Sequence, residues 1–322
     1  MLKVGVLGAG HLGKIHLRLL QQSTKYELVG FYDTNEALRS EMAAANGIKA
    51  FDDLQSLLDA VQCVDIVSPT TFHFEIAKQA ITQGKHVFIE KPLTKTTAQA
   101  KELVELAALY NVKVQVGHVE RYNPAIRSMT GIDFHPKFIE GHRLAVFNPR
   151  GTDVSVVLDL MIHDIDIVLS MIKDEVKSVH ANGVCIVSST PDICNARIEF
   201  VGGAVANLTA SRISMKNMRK IRVFQSDAYI SLDFLDKDAQ VIKIEDHIEG
   251  DNFSGMTMPT NSGLKRIIIE APSIMQNNAI EDELNDFFQA VINKAPVSVT
   301  IQDGYRALHL AQWIQDKIDE AQ

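Results

Sequence analysis

Gly8-Ala9-Gly10-His11-Leu12-Gly13 directly follows the apolar run 2–7 (LKVGVL) and opens an amphipathic stretch over 12–22. The order is strand, glycine-rich turn, helix, and each glycine has its own purpose. Gly8 makes the tight turn, Gly10 lets backbone N–H groups approach a pyrophosphate, and Gly13 lets the helix pack closely on the strand. Asp33 stands 20 residues beyond Gly13, at the end of the next strand-like run. A carboxylate there accepts hydrogen bonds from both adenosine ribose hydroxyls of a bound dinucleotide. Thr34-Asn35-Glu36 supply no arginine for a 2′-phosphate, so the pattern favours NAD over NADP. Gly8, Gly10, His11, Leu12, Gly13 and Asp33 are the expected cofactor residues on this motif.

The alternation that begins here continues. Strand-like runs at 27–32, 63–68, 86–90 and 112–116 alternate with helical patterns at 12–22, 35–45, 73–83 and 96–110, and 48–51 reads as a further short strand. This rhythm predicts an α/β Rossmann domain over 1–118, a doubly wound parallel sheet with helices on both faces. After Gly117 the rhythm changes. A short helix follows Asn123-Pro124, a helix covers 156–172, and strands follow in succession at 176–187, 195–200, 204–212, 219–225 and 229–234. Strands without intervening helices predict an α+β domain over 119–322 with a mainly antiparallel sheet. The stretch 250–265, rich in Gly, Asn, Ser, Thr and Pro, reads as a loop. Helices at 279–293 and 302–320 close the chain and are candidates to pack back on the first domain.

Bulk properties narrow the function classes. The chain has 322 residues, 46% hydrophobic and 22% charged, enough apolar material for two cores. A net charge of −8 argues against nucleic acid as a partner, which requires a basic footprint. Cys63, Cys185 and Cys194 are too few and too scattered for a disulfide framework or a zinc site, and no metal-ligand cluster stands out. The first apolar run is interrupted by glycines, and no run reaches the roughly 18 residues of a membrane span. A cytoplasmic protein with no membrane partner is expected.

Two further patterns carry chemistry. Glu90-Lys91-Pro92 follows the strand at 86–90, beyond the carboxyl end of a parallel sheet, where ligands bind in such folds. Asp159 and His163 stand four residues apart on the helix 156–172, so they share a face, and Asp166 and Ser170 continue the stripe. Ten of the fifteen residues 158–172 are apolar, with no Lys, Glu or Gln before Lys173. The helix is therefore mostly buried, and a buried Asp and His need partners. They fit either a catalytic pair or a hydrogen-bonded core histidine.

Taken together, these residues resemble the glucose–fructose oxidoreductase / inositol dehydrogenase / MocA family over essentially the whole chain. The likeness rests on the glycine motif, Asp33, Ser68-Pro69-Thr70-Thr71-Phe72-His73, Glu90-Lys91-Pro92, Asp159 with His163, and the terminal helices. The family usually has Thr-Pro where this chain has Ser68-Pro69, a mild departure. The resemblance implies an NAD(P)-dependent dehydrogenase of sugars, polyols or nucleotide sugars. It adds Ser68, Pro69, Thr70, His73, Glu90 and Lys91 to the cofactor residues. It assigns Lys91 to the nicotinamide ribose and the reacting oxygen, Asp159 to its support and His163 to acid–base work. It also implies a large open sheet in the second domain that makes a homodimer or homotetramer.

The segment 116–125 is similar to that of family members that oxidise C3 of UDP-N-acetylglucosamine. On that likeness Arg121, Tyr122 and Asn123 are expected at the sugar and its near phosphate. Arg143, Arg150, Arg212 and Lys216 are further phosphate candidates, with His163 also touching substrate. The stretch 211–222 carries five cations and no acid. A free sugar or polyol dehydrogenase and a non-catalytic NAD-binding regulator are the alternatives.

Overall fold

The computed structural model describes residues 1–148, 154–248, 253–261 and 263–321. The chain divides into two compact units, Met1–Val119 with Asn278–His309, and Glu120–Asn277 with Leu310–Gln322.

In chain order the first unit contains β1 (Leu2–Leu7), α1 (His11–Gln22), β2 (Tyr26–Tyr32), α2 (Glu36–Asn46), α3 (Leu54–Ala60), β3 (Cys63–Ile66), α4 (Thr70–Thr82), β4 (His86–Glu90), α5 (Thr97–Leu109) and β5 (Val114–Gly117). The strands form a parallel sheet in the order β2-β1-β3-β4-β5. The expected strand at 48–51 contracts to one parallel bridge between Phe31 and Ala50. Soon afterwards Asp53 caps the start of α3 by accepting from the Ser56 N–H, so the chain turns away before a ladder can form. With that bridge as an outer strand, the order is that of the dinucleotide-binding fold, and the winding reverses between β1 and β3.

The second unit begins with a 3-10 turn, Val119–Tyr122, whose last three residues belong to it, and α6 (Pro124–Arg127). After β6 (Phe138–Leu144), a π-helical turn at Val157–Met161 runs into α7 (Ile162–Met171). The strands β7 (Val176–Val184), β8 (Ile193–Phe200), β9 (Val205–Ser211), β10 (Met218–Phe224), β11 (Ala228–Asp233), β12 (Asp238–Asp246), β13 (Met256–Thr260) and β14 (Gly263–Glu270) follow. They make one sheet in the order β13-β14-β12-β11-β10-β6-β9-β8-β7, antiparallel except where β6 runs parallel to β9. The loop expected at 250–265 is corrected here, because β13 and the start of β14 pair across it. Most of their side chains are exposed, so the period-2 burial pattern that marks a strand is missing. α8 (Ala279–Ile292) belongs to the first unit, and α9 (Ile301–Glu320) crosses from the first unit into the second. No described helix is long and apolar enough to cross a membrane.

Two glycines set the geometry of the first turn. Gly8 has φ +109°, and a Cβ on it would stand 2.7 Å from the Ser68 nitrogen. A Cβ on Gly13 would collide with the Gly8 carbonyl oxygen. α1 therefore lies directly on β1, where Leu17 and Leu20 join Leu2, Val4, Val6, Leu284 and Phe287 in one core.

Candidate functional site

In the first unit, a cavity of about 700 Å³ opens at the carboxyl end of β1. Gly8, Gly10, His11, Leu12, Asp33, Ser68 and Pro69, seven of the residues expected at a cofactor, line it together with Tyr32, Leu38 and Phe72. Its polar end is the start of α1, whose cap residue Gly10 offers no side-chain hydrogen bond. A Cβ on Gly10 would meet nothing within 4 Å, so the approach to those N–H groups is open. Uncapped N–H groups at a helix start attract a phosphate. Beside it the Asp33 carboxylate is fixed at both oxygens, accepting from Ala9 N–H at 2.8 Å and Asn35 N–H at 2.9 Å. The Ser68 Oγ, at the cavity wall, is buried and makes no hydrogen bond among the described residues. This donor set and volume fit a dinucleotide.

One cation near Asp33 escapes the sequence pattern. Arg39, on α2, donates to the Asp33 main-chain carbonyl at 2.7 Å and lies 5.6 Å from the centre of the Tyr32 ring. It is six residues past Asp33, beyond Thr34-Asn35-Glu36, and the first turn of α2 brings it back.

The other expected residues of this unit sit around the next two strand ends. Thr70 starts α4. His73 is buried, with its two ring nitrogens 2.9 Å from the carbonyl oxygens of Pro92 and Ser68. It ties the turn after β3 to the turn after β4, and burial holds its pKa below the ordinary imidazole value. Lys91 is half-buried, its peptide bond to Pro92 is cis, and its N–H donates to Glu90 Oε2 at 3.1 Å.

In the second unit, Asp159 lies within the π-helical turn and His163 in the first turn of α7, both half-buried. Such π turns recur at functional sites. The acids that follow are engaged elsewhere. Asp166 receives both Nε and Nη2 of Arg121, at 2.6 and 2.8 Å. Asp164 receives Nε and Nη2 of Arg143, at 3.0 and 2.8 Å, while Arg143 Nη1 donates to Glu120 at 2.9 Å.

These pairs revise the substrate set. Arg143 is buried and bonded on three nitrogens, which removes it from the phosphate candidates. Asn123 caps α6 and donates to Glu120 and to the Phe234 carbonyl, and Tyr122 is buried under the Arg127 guanidinium. Arg212 is buried and donates to the Val154 carbonyl. Arg121 presents a bidentate fork to Asp166 rather than outward. Lys216 is exposed, and Arg150 lies outside the described residues. The basic excess of 211–222 is compensated by acids from other segments. Lys220 meets Asp233 at 2.9 Å, Arg222 meets Glu140 at 2.8 Å, and Arg219 lies 3.7 Å from Glu120.

Residues 2–118 match the family described as oxidoreductase family, NAD-binding Rossmann fold, and residues 99–231 match the GFO/IDH/MocA C-terminal domain. The UDP-N-acetylglucosamine 3-dehydrogenase of Acidithiobacillus ferrooxidans is 33% identical over 319 residues, covering 99% of this chain and 97% of that protein. A solved structure of that enzyme superposes with a TM-score of 0.88 over 99% of this chain and 98% of its own, at 32% identity. The myo-inositol 2-dehydrogenase of Thermotoga maritima is 24% identical over 99% of this chain and 97% of that protein.

If Arg143 is a structural cation, Arg143→Leu leaves Asp164 buried without its two-nitrogen partner and takes one donor from Glu120. Urea unfolding should show a loss of about 3–5 kcal/mol, the usual cost of breaking a buried pair from one side. Wild-type stability with a raised KM would instead return Arg143 to the substrate.

Proposed function

Because this chain belongs to the GFO/IDH/MocA family of oxidoreductases, we propose that it oxidises C3 of a UDP-N-acetylhexosamine, UDP-N-acetylglucosamine first among them, to the ketone with NAD as acceptor. The chain is an oxidoreductase of CH–OH groups with a nicotinamide cofactor. The single observation that carries the substrate is the full-length likeness, at 33% identity, to an enzyme of that specificity.

Asp33 supports NAD over NADP. Its carboxylate is held by two N–H donors and places negative charge where a 2′-phosphate would sit, while Arg39 binds the carbonyl of the same residue. The bound nicotinamide supplies the hydride acceptor. The chain must supply a base for the hydroxyl proton and a fixed positive charge for the oxygen that loses it. On the family likeness those are His163, an imidazole able to accept the hydroxyl proton, and Lys91. Asp159 supports them.

The diphosphate is the finer part of the reading. With Arg121, Arg143 and Arg212 engaged within the second unit, Lys216 and Arg150 remain as its cationic partners. That engagement also favours a second reading, a free sugar or polyol as substrate, to which the Thermotoga maritima relative lends support. A non-catalytic regulator is disfavoured by the joint presence of Lys91, Asp159 and His163. A homodimer or homotetramer through the sheet of the second unit belongs to the same proposal. The ring cluster of Phe138, Phe224 and Tyr229 on that sheet supports it.

Asp33→Ala should weaken NAD binding about tenfold or more and narrow the NAD/NADP ratio, as expected for lost hydrogen bonds to a charged group. Fluorescence titration of both cofactors checks this, and a wild-type protein that prefers NADP rejects it. Lys91→Ala and His163→Ala should each lower kcat by roughly two orders of magnitude or more, with the NAD dissociation constant within about threefold of wild type. The substrate is decided by NADH formation with UDP-N-acetylglucosamine against free N-acetylglucosamine at equal concentration. Equal rates, or no binding of UDP-sugars, hand the case to the free sugar or polyol.

A further inference from the structure

The first unit buries four ionisable side chains where α1, β3, β4 and α8 meet. His16 and Glu283 are 0% exposed, Asp65 1% and Glu90 8%. His16 Nδ1 lies 2.8 Å from Asp65, and its Nε2 lies 3.5 Å from Glu90 Oε1. A nitrogen of His16 and one oxygen each of Glu90 and Glu283 lie within 4.8 Å of one another. Among the described residues neither oxygen of Glu283 makes a hydrogen bond, and Asp65 Oδ1 and His16 Nε2 are likewise without one. The main chain of Glu283 is fixed, since Gln115 Nε2 on β5 donates to its carbonyl at 2.7 Å.

Three carboxyls and one imidazole in so small a volume cannot all take their usual neutral-pH charges. A lone buried carboxylate costs far more than a protonated one, and two carboxyls at close range do not both ionise. A protonated His16 carries two N–H groups, one bonded to Asp65 and the other directed toward Glu90 at 3.5 Å. Burial opposes that imidazolium, but the two acids outweigh burial and hold its pKa well above the ordinary value. One cation then faces three acids. Glu283 is the acid with no donor, and burial first, then the charge on Glu90, push its pKa well above the carboxylate range. The ionisable groups facing it are His16 on α1, Asp65 on β3 and Glu90 on β4.

We propose that Glu283 is a neutral carboxylic acid at pH 7, a proton donor within reach of Glu90, and that it is a positioning residue for Lys91. This rests on the role given to Lys91 above. Glu90 is the link. Its Oε2 accepts the Lys91 N–H, and a Cβ on Gly117 would stand 2.9 Å from its carboxyl carbon, so Gly117 leaves the group its place. A neutral acid on α8 beside the Glu90 carboxylate spares it a second buried anion and so holds the residue from which the Lys91 turn departs.

The proton is tested without activity, by urea unfolding of wild type and Glu283→Gln between about pH 5 and pH 7. Glu283 is neutral in the folded chain and ionised in the unfolded one over this window, so folding takes up a proton and wild-type stability falls as pH rises. Relative to the variant, which cannot titrate, the wild-type unfolding constant should rise about tenfold per pH unit. A ratio independent of pH overturns the proposal. So does about one equivalent of divalent metal in the purified protein whose removal by a chelator lowers the Tm. The positioning role is tested with Glu283→Leu, which cannot donate. Its kcat should fall about tenfold with KM within about threefold, and Glu283→Gln, whose amide donates, should recover most of the loss. Wild-type kcat in Glu283→Leu makes the acid purely structural and overturns the positioning role. If Glu283→Leu does not fold, the pH profile of kcat decides. The alkaline decline from ionised Glu283 should be absent in Glu283→Gln, and unchanged profiles overturn the role. If Lys91→Ala retains turnover, the functional assignment has failed, and the stability ratio still decides the proton.

Discussion

The Gly8 carbonyl lies where a side chain on Gly13 would have to stand, and that contact brings α1 flush against β1. Much of the first unit follows from it. The start of the helix faces the cavity with no side-chain cap, ready for an anion. One turn further along, the same closeness drives the inward residues Gly13, His16, Leu17 and Leu20 into the sheet. Two of them are leucines that build a core, but His16 is driven against Asp65 on the neighbouring strand and toward Glu90 on the next. The phosphate turn and the turn carrying Lys91 are therefore joined through one helix. His73 joins the turns after β3 and β4 a second time, through the carbonyls of Ser68 and Pro92.

The second unit solves a different electrostatic problem. α7 is mostly buried and carries Asp164 and Asp166 on its first turns, two charges that burial would penalise severely if alone. β6 delivers Arg143 to the first and the turn before α6 delivers Arg121 to the second, each through a two-nitrogen fork. Arg143 stands opposite Arg219 in the strand register, an unfavourable like-charge pairing that Glu120 relieves from between them. These pairs fix the orientation of α7, and with it the turn that presents Asp159 and His163.

Local patterns with a mechanism were legible in the sequence. The glycine motif, Asp33 and the βα rhythm are set by backbone sterics and short-range periodicity, and β1 and β4 fall where the pattern places them. β6 and β12 were not foreseen, although β6 alternates cleanly between buried and half-buried positions. Its inward residues are Ile139, Gly141 and Arg143, and an arginine on the core side disguises the apolar face. The buried quartet was equally hidden, since its members come from positions 16, 65, 90 and 283 and only the fold brings them together. A signal did exist. Asp65 stands alone among apolar residues in a strand buried along its whole length, a setting that demands a partner.

Arginine shows most clearly why residue type underdetermines role. Its planar fork suits a phosphate and a carboxylate equally well, so a run of arginines in an acidic chain is consistent with a diphosphate site and with an internal lattice of ion pairs. The structure separates the two by counting acceptors. Every guanidinium nitrogen of Arg143 already points at a buried carboxylate, and those carboxylates belong to the helix that holds His163 and to the turn before α6. Moving such an arginine to a ligand would strand the buried Asp164 and weaken the hold on Glu120. The loss of exposed Lys216 would strand no such buried charge.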